Sequence, residues 1–340
     1  MAGPQIANDD IDPDDRQNDD DDTEPLVDLT QSLQLHSRRS ERLRKKGAKK
    51  AERASAAGSM SGFLDLPYEL MMTIICSLRP RNVFILMRVN KPLRQLILAE
   101  EGYISTQIIQ LRYGCLEKCF RRPVLMEQVD PSFRSALQSA DRPEMVSVYK
   151  KPFQHVQPPD QSVLCTCMTC LARWNCLCVA VDFAHWQGNL DRGEPIPVIE
   201  RGRSPEWNSR LVAANAAVVL HALRSDLWYA AVLEAHLSST MGSIKRHAAN
   251  KGNRRTRFRM TDDDMRRGTA DFLERGGPPT VDFPFVRDNY YILESFMPHR
   301  SWVKEQDRWI YMPAEQHEKD LEIAVRWETW WKQNLQRRRD

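Results

Sequence analysis

The sequence predicts a mainly α-helical protein: a disordered N-terminal tail, a three-helix unit, then an all-α C-terminal domain with at most a short β-hairpin. Three observations carry this. Apolar residues recur every three or four positions in run after run beyond residue 62. Side chains that cap or stop helices bracket those runs, among them Asn90, Ser225, Thr261 and Gly276. Only "SWVKEQDRWIYMP", residues 301–313, has the character of a strand or hairpin. The boundaries expected are 1–60 for the tail, 61–103 for the three-helix unit and 104–340 for a helical interaction domain.

The tail divides by charge. Between Asp9 and Asp28 eleven Asp and Glu face one Arg, with almost nothing apolar. Such a segment cannot bury enough surface to offset ordering, so disorder is expected. The sign then flips, with nine Lys and Arg between Arg38 and Arg53 before a Gly/Ser/Ala linker. That run suits a nuclear-import or anion-binding patch, and equally a solvated, frayed helix.

The three-helix unit is "FLDLPYELMMTIICSLRPRNVFILMRVNKPLRQLILAEE", residues 63–101. Pro67 fits a first helical turn, and Leu66, Leu70, Ile74 and Leu78 recur every four residues along one stripe. Pro80 is expected to end that helix and Asn82 to cap the next, whose apolar positions are Val83, Leu86 and Val89. Asn90 caps a third, with Pro92 early enough to be tolerated and Leu93, Leu96 and Ile97 on one face. Three short helices make a meagre core, so the spare apolar surface calls for a partner.

The order of Leu-Pro-x-Glu-Leu, an Ile/Leu-rich helix, Leu-x-Pro, a second apolar helix and Val-Asn-Lys-x-Leu-Arg-x-Leu-Ile resembles the F-box motif from Leu66 to Ile97. The resemblance implies a helical hook that docks on the Skp-type adaptor of a cullin–RING (SCF) ubiquitin ligase while the rest of the chain presents a protein substrate. It implies Leu66, Pro67, Glu69, Leu70, Ile74, Leu78, Val83, Leu86, Val89 and Lys91 as the adaptor-facing residues. Arg79 stands where many members carry an acid, and Leu93 where Trp is common. From Tyr113 onward, in "RWNCLCVAVDFAHWQ" and "FPFVRDNYYILESFMP", the chain is similar to the bodies of uncharacterised F-box proteins of filamentous fungi, a resemblance that implies no particular target.

In the body, "SPEWNSRLVAANAAVVLHAL" reads as an Ala-rich helix buried on most sides, and "SDLWYAAVLEAHLSSTMGSIKRHAANKGN" as a long helix capped by Ser225 or Asp226. "TDDDMRRGTADFLERGG" opens at capping-box spacing, Thr261 to Asp264, and closes at Gly276. "FVRDNYYILESF" and "PAEQHEKDLEIAVRWETWWKQNLQRRR" supply two further helices. On the last, Trp327 and Trp331 share a face with Trp330 beside them, read as core packing or as an aromatic anchor for a bound protein.

Chemistry is sparse. No Gly-rich phosphate loop, His-Glu-x-x-His or Gly-x-Ser-x-Gly elbow occurs, so no catalytic residue and no cofactor are expected. Asp182 and His185, three apart, could share a helix face and touch a metal, but are read as ordinary hydrogen-bonding residues near a helix end. Cys165, Cys167, Cys170, Cys176 and Cys178 are the exception that needs weighing. Asp160 reads as a helix cap, and no Pro or Gly interrupts the chain from there to Gly188. On one helix at about 100° per residue, Cys165 and Cys176 point one way while Cys167, Cys170 and Cys178 point roughly opposite. Five such thiols cannot converge on one ion, and the Cys-x-x-Cys at Cys167 and Cys170 lacks a second knuckle. A packed core helix is the reading preferred over a zinc site or redox chemistry.

Lys251, Arg254, Arg255, Arg257 and Arg259 form a basic cluster that suits an acidic or phosphorylated partner, or a solvated loop neutralised by Asp262 to Asp264. With Phe258 its one aromatic, a nucleic-acid surface is not expected. The longest uncharged apolar run, Leu211–Leu223, is too short for a bilayer, and the polar start is no signal peptide. Nucleus or cytoplasm is expected, with eight reduced cysteines. The leading reading is a non-catalytic ligase adaptor. The alternatives are a zinc-binding or catalytic helical protein built on the cysteine cluster, and a nuclear binding protein using its basic segments.

Overall fold

The computed structural model describes residues 41–42, 45–49, 63–145, 154–200, 203–249, 260–275, 287–291 and 297–339. It divides into two units, Met1–Ser61 and Gly62–Asp340. In the first, residues 41–42 and 45–49 are helical and exposed; the acidic stretch of the tail lies outside the described residues. The second unit carries thirteen α-helices and one hairpin among its described residues. No described helix is long and apolar enough to cross a membrane.

The hook comprises α1 (Tyr68–Ser77), α2 (Pro80–Leu86) and α3 (Lys91–Ala99). Pro67 immediately precedes α1, where its missing N–H costs nothing. Pro80 is the first residue of α2 rather than only the end of α1, because a fixed φ suits a first helical position; Arg79 therefore occupies the cap and Asn82 lies inside the helix. Asn90 caps α3 as expected, its side-chain oxygen accepting from the Leu93 amide at 2.8 Å.

Helix α4 (Glu101–Arg112) follows α3 with only Glu100 between. After the short α5 (Gly114–Cys119), α6 (Pro131–Leu137) and α7 (Arg142–Met145) come α8 (Met168–His185), α9 (Gln187–Arg192), α10 (Glu206–Arg224) and α11 (Asp226–Ala249). Helices α8, α10 and α11 pack on one another at the centre, and α11 also carries α2 and α4. Met71, Met72 and Ile75 of α1, Val83 of α2, and Leu93 and Ile97 of α3 join the same core as Trp174, Leu177 and Leu233.

Helix α10 is less buried than its composition suggested. Ala213, Ala214 and Ala217 face solvent while Ala216, Val219 and Ala222 face inward, because alanine favours a helix without demanding burial. Ser225 caps α11, its hydroxyl accepting from the Trp228 amide at 3.2 Å. Glu101 reinforces the cap, accepting from Ser225 Oγ at 2.5 Å and from the Leu227 amide at 3.1 Å.

Thr261 and Asp264 make the capping box of α12 (Asp262–Arg267). That helix ends at Gly268, whose φ of 61° is a left-handed cap, and not at Gly276; a short 3-10 turn, Asp271–Glu274, follows. Strands β1 (Arg300–Val303) and β2 (Arg308–Tyr311) pair antiparallel with Trp302 opposite Trp309. Helix α13 (Gln316–Arg339) packs on α6 and α8 over a small second core of Met126, Val129, Leu137, Leu321 and Ala324. Trp327 and Trp330 are 51% and 57% exposed, so core packing is not their role.

Candidate functional site

The middle of the sequence stripe Leu66–Leu70–Ile74–Leu78 faces away from the core. Leu70 is 53% and Ile74 42% exposed, while Met71, Met72 and Ile75 on the other faces of α1 are buried. Val89 is 65% exposed, and Pro67, Glu69 and Lys91 also face solvent. Leu66, Leu78 and Leu86 are half-buried against the core. Val83 departs from expectation: it is fully buried among the protein's own side chains and is not part of the outer face. A helix apolar on several sides gives no sequence signal of which side turns inward.

The outer surface also includes large residues that the sequence reading left out: Leu64, Tyr68, Ile85, Leu98, Tyr103 and Leu111. Tyr68, Tyr103 and Leu111 line a groove shared by α1 and α4, and the Glu100 carboxylate hydrogen-bonded to Tyr68 raises its phenol. Burying one Leu or Ile side chain is worth about 1.5–3 kcal/mol, so so many exposed together form a surface suited to a protein partner. The backing is firm. The Arg112 guanidinium donates to the carbonyls of Ser77 (2.5 Å) and Arg267 (2.8 Å), and the Arg81 amide donates to Glu234 at 2.9 Å.

The five cysteines separate into two groups. The chain does not enter a helix at Asp160: that carboxylate accepts from the Ser162 amide and hydroxyl at 2.8 and 2.7 Å, closing a turn instead. Leu164 then bridges to Leu125, the Cys165 amide donates to the Val124 carbonyl at 3.0 Å, and α8 begins only at Met168 with Cys167 as its cap. Cys165 and Cys167 do not follow the helical wheel, because both precede the helix. In an extended lead-in, residues two apart point the same way. The first turn of α8 brings Cys170 to them, and His317 from the first turn of α13 completes the group. Its Nδ1 lies 4.0, 3.3 and 3.3 Å from the sulfurs of Cys165, Cys167 and Cys170. All four donor atoms fall within 4.8 Å of one another.

Crowding spreads the thiol acidities. Cys167 is held well below the usual thiol range by hydrogen bonds with Cys165 and Cys170, while the Cys167 side chain pushes Cys165 up to about 12. Cys176 and Cys178 belong to no such group among the described residues. Both are fully buried in the core, and burial pushes Cys176 up to about 12. Cys176 instead meets His299 Nε2 at 3.4 Å, whose imidazole burial holds down at about 4, so this is a neutral contact.

Asp182 has no vacancy for a metal. Arg287 forks onto it at 2.8 and 2.9 Å, and Tyr290 and Asn215 donate at 2.9 and 3.1 Å. Lys251, Arg254, Arg255, Arg257 and Arg259 lie outside the described residues.

No curated protein and no solved structure matches the chain. The family model of the F-box domain matches residues 63–104, the three hook helices and the start of α4. With its buried inner face, capped helices and exposed outer face, this segment is an F-box domain, and the chain carries that domain near its N-terminal end.

Proposed function

We propose that the chain is the substrate-recruiting F-box subunit of an SCF-type ubiquitin ligase, docking on the Skp-type subunit through its hook and holding a protein substrate on its helical body. An F-box domain suggests an SCF-type adaptor role, and such domains generally belong to non-catalytic components. The observation that carries the reading is the outward row of Leu70, Ile74 and Val89 on a hook whose inner face is already buried. Ubiquitin transfer is then the work of other subunits.

On the body, Ile323, Trp327 and Trp330 stand at helical spacing on α13, all exposed, and support a substrate-facing role for that helix. The eight free thiols support work in the reducing nucleus or cytoplasm. Co-purification with a Skp-type adaptor tests the reading. Leu70→Asp with Ile74→Asp is expected to abolish capture while leaving the chain folded; full capture by a folded double variant refutes it. Intact adaptor capture by a Trp327→Ala, Trp330→Ala chain, with loss of its co-purified substrates, locates the second surface.

A further inference from the structure

We propose that Cys165, Cys167, Cys170 and His317 hold a structural zinc ion that staples the C-terminal helix α13 to the body. A tetrahedral zinc with sulfurs at about 2.3 Å and an imidazole nitrogen at about 2.0–2.1 Å sets the S···N separations near 3.6 Å and the S···S separations near 3.8 Å. The observed S···N distances of 3.3, 3.3 and 4.0 Å straddle that value, and the donor atoms are gathered within 4.8 Å. Three thiolates and an imidazole are the soft donor set that zinc prefers, and four protein ligands leave no open position for a substrate. The ion is structural rather than catalytic.

The surroundings are built for an anionic metal–thiolate centre. Each sulfur accepts a backbone amide: Cys165 from Cys167 at 3.5 Å, Cys167 from Cys170 at 3.5 Å, and Cys170 from Val124 at 3.4 Å. Two guanidiniums are buried beside them, Arg142 facing Cys165 and Cys167, and Arg173 facing Cys170 and Cys167. Among the described residues their hydrogen bonds run to Thr166 and to backbone carbonyls; the Glu328 carboxylate also acts on Arg142 but is itself paired with Lys332. A buried cation is costly without a counter-charge. Zinc with three thiolates and a neutral imidazole carries one net negative charge and supplies it.

A scaffold positions His317. Asp320, one turn further along α13, accepts from the Thr169 amide and hydroxyl at 2.8 and 2.6 Å and from Gln316 at 2.9 Å. The first turns of α8 and α13 are thereby locked together, as partners outside a metal shell commonly are. The apolar seam beneath α13 is small, with Leu321 and Ala324 its buried apolar residues among the described ones. A metal joining segments 147 residues apart compensates for that short seam.

The full chain, expressed with zinc and purified without a metal-binding tag, is expected to carry about one zinc by mass spectrometry of the metal. Cys170→Ser and His317→Ala should each lose it, His317→Cys should retain it, and Cys178→Ala should be unaffected. Should the loss variants fail to fold, the wild-type chain decides: cobalt exchanged for zinc is expected to show thiolate-to-metal charge-transfer and tetrahedral visible bands, and a mercurial should release the metal as these thiols are blocked. Chelation should expose α13 to protease before the hook. Purified wild-type chain without zinc and without cobalt–thiolate bands overturns the proposal. So does zinc that persists in a Cys170→Ser, His317→Ala chain.

Discussion

The hook and the thiol cluster spend their side chains in opposite ways. The hook contributes Met71, Ile75 and Ile97 to the main core and leaves Leu70, Ile74 and Val89 outside, where water gains nothing from them. Around α13 the arrangement is reversed: polar and thiol groups go inside, at Cys165, Cys167, Cys170 and Asp320, and two tryptophans go outside. One region is held by apolar burial and advertises more of it. The other is held by directional bonds, which need few residues but place each at a fixed distance. An apolar outside means something different in each place, since only the first lies on a segment matched by a known family model.

The largest expected effect tests the outer face of the hook. Leu70→Asp with Ile74→Asp removes about 3–6 kcal/mol of burial in a complex, a loss of roughly a hundredfold to ten-thousandfold in adaptor affinity by titration calorimetry. Its melting temperature should stay near that of the parent. Next comes the inner face: Ile75→Ala is expected to cost about 2–5 kcal/mol in denaturant unfolding, because it leaves a cavity at a fully buried position. Equal stability losses from inner and outer substitutions would erase the distinction between the two faces.

A third prediction concerns the body. Burial holds the His155 imidazole down at about 4, against about 6.5 in an unfolded chain. Between those values the unfolded state binds the extra proton, so this contribution to stability is full above the unfolded value and is lost as pH falls toward 4. Denaturant midpoints should fall through that window, and His155→Phe should flatten the slope. The smallest effect is at a cap: Asn90→Ala should cost about 1 kcal/mol by losing the bond to the Leu93 amide. A larger loss there, with adaptor binding gone as well, would show that the outer face depends on the α3 entry.

The hook was legible because it is local. About forty consecutive residues contain its stripe, both prolines and the Asn90 cap, and each acts on a neighbour within a turn or two. What the pattern lacks is an inside and an outside, which α4 and α11 supply from elsewhere; hence Val83, periodic with the outer residues, turns inward. The thiol cluster was illegible for two physical reasons. Asp160 can cap a helix or close a turn with Ser162, and that choice moves the helix start to Met168 and reverses the geometry of Cys165 and Cys167. The fourth donor, His317, is remote in sequence and meets the others only through tertiary packing. The spacing of Cys165, Cys167 and Cys170 was visible, but nothing adjacent to it named a histidine.

Glu101 has a consequence for how far the molecule can reach. It sits at the start of α4, with one residue between it and the last hook helix, and its carboxylate ties the first turn of α11. Hook and body are therefore joined there by hydrogen bonds as well as by the chain itself. Under the ligase role proposed above, the chain would act as a spacer: a cargo on the body would be carried at a set angle and distance from the scaffold, and its modified lysines would be those that fall within that sweep.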